Sequence, residues 1–286
     1  VEGTSAQWTG EDITDRDVRQ RGLMVEVDRR RVPALLWTPA LPAVAGDPSG
    51  ADGDGADRPA PRPLVAIGHG GSNDKRQPAV VAMAHRMVRH HGCAAIAIDG
   101  PVHGDRRADR GADPRLTLAE FGQRWAGDGE AMTDETIADW QQVIAVVQAL
   151  PDIGEGPVGW WGLSMGTILG LPLVAADRRI RAAVLGLMGL TGPTRQRIAE
   201  AADAVRCPVL FLVQRDDELF PWESAVALFD RLATADKRLH AHLGPHGALP
   251  DEAFDSSERF LATHLLPAGH RRAPDPSSPP QVEPAR

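Results

Sequence analysis

Val158–Ala176 reads VGWWGLSMGTILGLPLVAA: an apolar run, a turn bounded by glycines and a helical pattern in direct succession. The turn, Gly162–Gly166, is GLSMG, a G-x-S-x-G match in the strand–turn–helix setting that gives this motif its meaning. In that setting Ser164 occupies a sharp, strained turn that lifts its hydroxyl from the top of a sheet. Gly162 and Gly166 leave room where side chains would collide with the neighbouring strand or helix. The Met165 N–H falls at a helix start, where developing negative charge is stabilised. With 29 glycines in the chain, five letters alone recur by chance, so the context carries the reading. Ser164 is the candidate nucleophile, set against an ordinary helix-capping serine.

Outward from this turn, short apolar runs alternate with longer helical patterns. Strands are predicted at Leu23–Val27, Val32–Trp37, Leu64–Gly68, Ala94–Ile98, Val158–Leu163, Ala182–Leu187, Val209–Gln214 and Arg238–Leu243. Several are continuously apolar, as strands buried on both faces of a parallel sheet are. Helices are predicted at Gln77–His90, Thr133–Leu150, Met165–Ala176, Pro193–Ala204, Trp222–Ala233 and Glu252–Leu266. The alternation implies a doubly wound α/β sheet, whose ligands bind beyond the C-terminal strand ends.

A serine hydroxyl is a poor nucleophile at neutral pH and needs a base, which in turn needs a carboxylate to fix its tautomer. After the run Pro208–Gln214 comes RDDELFP, Arg215–Pro221. Asp217 fits the acid best, with Asp216 and Glu218 in competition. Among the histidines beyond it, His240 and His242 alternate inside a strand and His264 sits in the last helix. His246 lies in LGPHGAL, a Gly/Pro loop after the last strand, and is the candidate base. Ile67–Ser72, IGHGGS, follows another apolar strand and would bring backbone N–H groups beside the serine. Gly71 is the expected second oxyanion donor with Met165, Gly70 and Ser72 being alternatives; His69 is expected to orient the loop.

The chain has 286 residues, 42% hydrophobic and 24% charged, with a formal charge of −8, which argues against a nucleic-acid binder. No apolar run is long enough to cross a bilayer, so no membrane association is expected. Val1–Gly10 shows no basic segment followed by an apolar core, and a cytoplasmic location is expected. Cys93 and Cys207 make neither a disulfide framework nor a metal motif and read as small buried hydrophobes. Ala43–Pro63 reads as a mobile surface loop and residues 267–286 as a disordered tail, leaving residues 1–266 as one domain.

Nucleophile, acid, base and oxyanion loop, each placed after a successive strand, resemble the α/β-hydrolase superfamily over Leu23–Leu266. Within it the chain is similar to small serine esterases of the dienelactone hydrolase-like and acyl-peptidase-like branch. Ala97–Arg106, AIDGPVHGDR, supports this, since similar loops in those relatives border the active-site mouth. Dienelactone hydrolase proper has a cysteine nucleophile where this chain has Ser164, which puts that substrate in doubt but not ester chemistry. The resemblance implies a fold of about eight mostly parallel strands flanked by helices. It implies a Ser-His-Asp triad that cleaves small carboxylic esters or thioesters through an acyl-enzyme, with no cofactor and no metal. Peptide or amide cleavage, acyl transfer to another alcohol and a non-catalytic binding role are the rival readings. Only Met188–Arg206 separates the sixth and seventh predicted strands, too little for a large cap domain. Cover would come from Arg107–Ala131, read as a loop with short helical pieces. His103, Trp125 and Met188 are the substrate-pocket candidates. Asp99, His103 and Asp105 alternatively cap one another in a turn. Trp160 and Trp161 are expected to pack in the core, and a homodimer is possible.

Overall fold

Continuous apolar runs need an environment buried on both sides, and a central sheet between helical layers supplies it. The computed structural model describes residues 6–40, 61–109 and 113–267. Its strands are β1 (Ala6–Asp15), β2 (Val18–Val27), β3 (Arg30–Pro39), β4 (Leu64–Gly68), β5 (Ala94–Ile98), β6 (Val158–Gly162), β7 (Ile180–Gly186), β8 (Val209–Gln214) and β9 (Lys237–His242). They form one sheet in the order β1-β2-β3-β5-β4-β6-β7-β8-β9. The β1–β2, β2–β3 and β3–β5 pairs are antiparallel and all others parallel. Strands β4, β5, β6 and β8 are buried along their whole length, which is why they read as unbroken apolar runs.

The helices are α1 (Pro78–His91), α2 (Pro114–Gln148), α3 (Met165–Ile168), α4 (Gly170–Ala176), α5 (Arg195–Ala204), α6 (Trp222–Arg231) and α7 (Asp251–Leu265). Side chains alternate across the sheet, so adjacent Trp160 and Trp161 enter opposite layers. Trp160 meets Trp140 of α2 edge-on at 5.0 Å, in the layer that holds α2, α4, α5 and α6. Trp161 stacks on Phe254 of α7 at 6.0 Å, in the layer of α1 and α7. Both indoles are core residues, as expected.

All eight predicted strands are present, and β1 is a ninth. It is exposed along nearly its whole length and carries no buried apolar stripe for a sequence pattern to reveal. Backbone pairing to β2 and ion pairs such as Arg19–Asp12, at 2.5 Å, hold it. The expected loop with short helical pieces around Leu116–Trp125, read over Arg107–Ala131, is corrected from Pro114 onward, where helix is present but as the longer first half of α2. Asp113 caps that helix by accepting the Arg115 N–H at 2.9 Å, and Pro114 occupies its first turn. Asp128, at φ −144°, interrupts α2 between Gly127 and Gly129. The single helix expected after Ser164 is two pieces broken at Leu169. The surface loop read over Ala43–Pro63 and the tail over 267–286 lie, apart from residues 61–63 and 267, outside the described residues. No helix among the described residues is long and apolar enough to cross a membrane.

Candidate active site

Strand β6 ends at Gly162, and two residues later Ser164 takes φ 57° and ψ −118°, a conformation costly for a residue with a Cβ. The surroundings enforce it. The Ser164 N–H donates to the Gly186 carbonyl at 3.0 Å, and the Thr167 hydroxyl accepts the Gly186 N–H at 2.8 Å. A Cβ on Gly162 would lie 2.7 Å from the Gly166 carbonyl oxygen, and one on Gly166 2.9 Å from that of Gly68. Both contacts are with backbone, so neither position tolerates a side chain without moving the turn.

The loops after β8 and β9 bring the candidate acid and base to this turn. His246 Nε2 lies 2.9 Å from Ser164 Oγ, and its Nδ1 lies 2.8 Å from Asp217 Oδ2. The other Asp217 oxygen accepts the N–H groups of Leu219 and Phe220 at 2.8 and 2.9 Å, which fixes the carboxylate. The neighbouring acids take different work. Asp216 accepts the Gly244 N–H at 3.1 Å, and Glu218 accepts the His246 N–H at 2.8 Å. That backbone bond holds the Glu218 carboxyl below its ordinary range. Three consecutive acids thus lace one loop to the other, and only Asp217 reaches the imidazole. Phe220 packs on the His246 ring at 5.6 Å.

Gly71 sits opposite. A Cβ there would be 3.7 Å from Met165 Cβ, so the two expected oxyanion donors are neighbours. Neither the Gly71 nor the Met165 N–H donates to a protein acceptor among the described residues. The Gly70 N–H is spent on Gln77 Oε1 at 3.0 Å. His69 donates from Nδ1 to the Gly70 carbonyl at 2.9 Å and accepts the Gly100 N–H on Nε2 at 2.8 Å. Burial pushes its pKa down to about 3, so it is a neutral brace with a fixed tautomer, as expected of it.

The pocket candidates fare differently. Trp125, partly exposed, stacks on Phe121 at 6.0 Å, donates from Nε1 to Thr194 Oγ1 at 2.7 Å and lies against Gly192. It therefore ties α2 to the loop before α5, on the flank of the site. Met188 and His103 are both fully buried, which corrects the expectation that they line a pocket. Met188 is part of the core in the layer that holds α2, α4, α5 and α6. His103 points inward to the oxyanion loop, its Nε2 2.8 Å from the Gly71 carbonyl oxygen. Asp99 and Asp105 are held by buried Lys75, whose Nζ is 2.5 Å from Asp99 Oδ2 and 2.8 Å from Asp105 Oδ2. Asp99 also accepts the Asp105 N–H at 2.7 Å, so the turn-capping alternative describes these two acids. Leu118, whose Cδ1 would lie 3.1 Å from a Gly71 Cβ, and Phe220 are apolar neighbours of the site that the sequence reading missed. Leu118 became legible only once α2 was known to begin at Pro114.

No family model and no curated protein matches the chain. Among solved structures, a cold-adapted esterase from an Arctic intertidal metagenomic library is 37% identical, with TM-score 0.74, over 91% of this chain and all of that one. This chain belongs to the α/β-hydrolase esterases. Acetyl xylan esterases from Paenibacillus sp. R4 and Thermoanaerobacterium sp. JW/SL YS485 share its fold at 17% and 14% identity, with TM-scores of 0.66 and 0.63. They cover 92% of this esterase each, and it covers 90% and 89% of them. Ester hydrolysis by a serine-dependent enzyme is therefore the activity of this chain's family.

Proposed function

We propose that this esterase cleaves small carboxylic esters, thioesters included, by two-step acyl transfer on Ser164. One observation carries the reading: the unbroken contacts from Asp217 through His246 to Ser164, at 2.8 and 2.9 Å. In the first step His246 Nε2 takes the Ser164 proton as Oγ attacks the ester carbonyl. The carbonyl oxygen becomes an oxyanion between the Gly71 and Met165 N–H groups. Asp217 keeps the Nδ1 proton in place and stabilises the imidazolium. His246 then protonates the leaving alcohol. Water, deprotonated by the same nitrogen, attacks the acyl-enzyme, and the second collapse returns Ser164 its proton. Trp125, Leu118 and Phe220 give the mouth of the site an apolar flank, which suits uncharged substrate groups.

A fluorophosphonate probe with intact mass and peptide mapping tests this. The reading requires one adduct, on the Ser164 peptide, and none in Ser164→Ala. Ester turnover should fall by about 10⁴–10⁶ in that variant. Folded protein that takes no label, or a Ser164→Ala variant that still turns over esters, refutes it.

A further inference from the structure

An N–H can stabilise an oxyanion only while it points at it, and Gly71, having no Cβ, is the residue least able to hold a direction by itself. Two flanking peptide planes set that direction. The plane before it, Gly70 C=O to Gly71 N–H, is held by His69 Nδ1–H at 2.9 Å and by the Asn73 N–H at 3.2 Å, both on the Gly70 oxygen. The plane after it begins with the Gly71 carbonyl, which faces His103 Nε2 at 2.8 Å. No backbone N–H among the described residues serves that oxygen.

His103 is built into this place. It is fully buried, with the His69 ring edge-on at 5.0 Å and Phe121 at 5.7 Å. The residue before it, Val102, has φ 60°, a strained value for a β-branched side chain, and that turn aims the imidazole inward. The buried Lys75–Asp99–Asp105 cluster ties the loop after β4 to the loop after β5, so the ring and its target keep their spacing. Nδ1 faces the Pro101 carbonyl at 2.5 Å. Burial lowers the pKa of the ring, leaving one N–H at neutral pH for two carbonyls. Nε2 stands at an ordinary N–H···O distance from the Gly71 carbonyl, and the tautomer of the ring decides which of the two carbonyls receives the proton.

We propose that His103 is a positioning residue of the oxyanion hole, donating Nε2–H to the Gly71 carbonyl so that the Gly71 N–H stays aimed at the reacting oxygen. The proposal rests on the reading of Gly71 as an oxyanion donor. It adds a residue that touches no substrate yet acts on the transition state.

Three variants and one spectrum test it. His103→Leu removes the donor, His103→Asn places an amide near the Nδ1 position only, and His103→Gln returns an N–H donor near Nε2. Rates are divided by the fraction of Ser164 that fluorophosphonate labels at the endpoint, which removes any loss of folded protein. His103→Leu and His103→Asn should lose about 10–10² in kcat with KM held within about threefold, a smaller loss than deleting a donor outright. Both should lose the same factor in affinity for a trifluoromethyl ketone, and His103→Gln should recover most of it. Equal rates per labelled site in all variants, or His103→Gln as impaired as His103→Leu, would overturn the proposal. In the wild type, a long-range ¹H–¹⁵N spectrum should show the buried His103 ring protonated at Nε2. A ring unprotonated there overturns the proposal whether or not the variants fold. Failure of the triad would appear separately, as absent Ser164 labelling in the wild type, and would remove the Gly71 premise with it.

Discussion

Glu258 of α7 is the carboxylate on which α1 depends, and its replacement by glutamine has a calculable consequence. One oxygen meets His90 Nδ1 at 2.7 Å and His91 Nε2 at 2.9 Å, and the other accepts from Arg86 Nη1 at 3.0 Å. Burial raises the carboxyl pKa, but the bonds from His91, His90 and Arg86 outweigh it and bring it from 4.5 to about 2. A shift of roughly 2.5 units corresponds to about 3 kcal/mol at 1.36 kcal/mol per unit. Solvent at the rim of the cluster, where His90 is 38% exposed, screens this to about 1–2 kcal/mol. The folded pKa is depressed, so the contribution is fully present above the unfolded value of 4.5 and is lost as pH falls toward about 2. Glu258→Gln should lower Tm at pH 7 by about 2–8 °C. The gap between variant and wild type should narrow steadily below pH 4.5. Scanning calorimetry of both proteins from pH 7 to 3 measures it. A gap that stays constant with pH, or no gap at pH 7, refutes the electrostatic reasoning and leaves packing as the only role of this side chain.

Asp217→Asn should leave the fold intact and cost about 10⁴ in kcat, since an amide at that place selects the wrong imidazole tautomer; steady-state kinetics on a short ester measures it. Gly166→Ala drives a Cβ to 2.9 Å from the Gly68 carbonyl and should slow fluorophosphonate labelling of Ser164 at least about 10²-fold, whereas unchanged labelling would show the turn to be compliant. Gly122→Ala, with nothing within 4 Å of the new Cβ, should raise unfolding free energy by about 0.4–1 kcal/mol in urea melts at unchanged turnover. Burial pushes the Cys93 and Cys207 thiols up to about 12 and about 11, so a disulfide reagent should modify neither in the native protein at pH 8 and both after unfolding.

The three side chains that the structure brings together, Ser164, His246 and Asp217, were legible because each is a residue type that is rare in its setting. A serine between two glycines after an apolar strand, an acid after the next-to-last strand and a histidine in the final Gly/Pro loop have few other reasons to stand there. Strand β1 was not legible because its order comes from pairing with β2 and from ion pairs, not from burial. The first half of α2 carried its start signal, Asp113–Pro114, but Gly122, Gly127 and Gly129 weaken helical propensity enough that only short helical pieces around Leu116–Trp125 were legible. His103 and Met188 were placed in the right loops and at the wrong depth. Spacing tells which strand end a residue follows, but how far its side chain descends depends on neighbours contributed by other elements, here Phe121 for His103 and the core of the α2, α4, α5 and α6 layer for Met188.

The lacing of Asp216, Asp217 and Glu218 to Gly244 and His246 makes the proposed acid and base one mechanical part. Its hydrogen bond to Ser164 is Nε2 to Oγ, while several bonds hold the part together. A shift of either loop therefore carries carboxylate and imidazole together relative to Ser164, and the geometry that varies is Nε2 to Oγ.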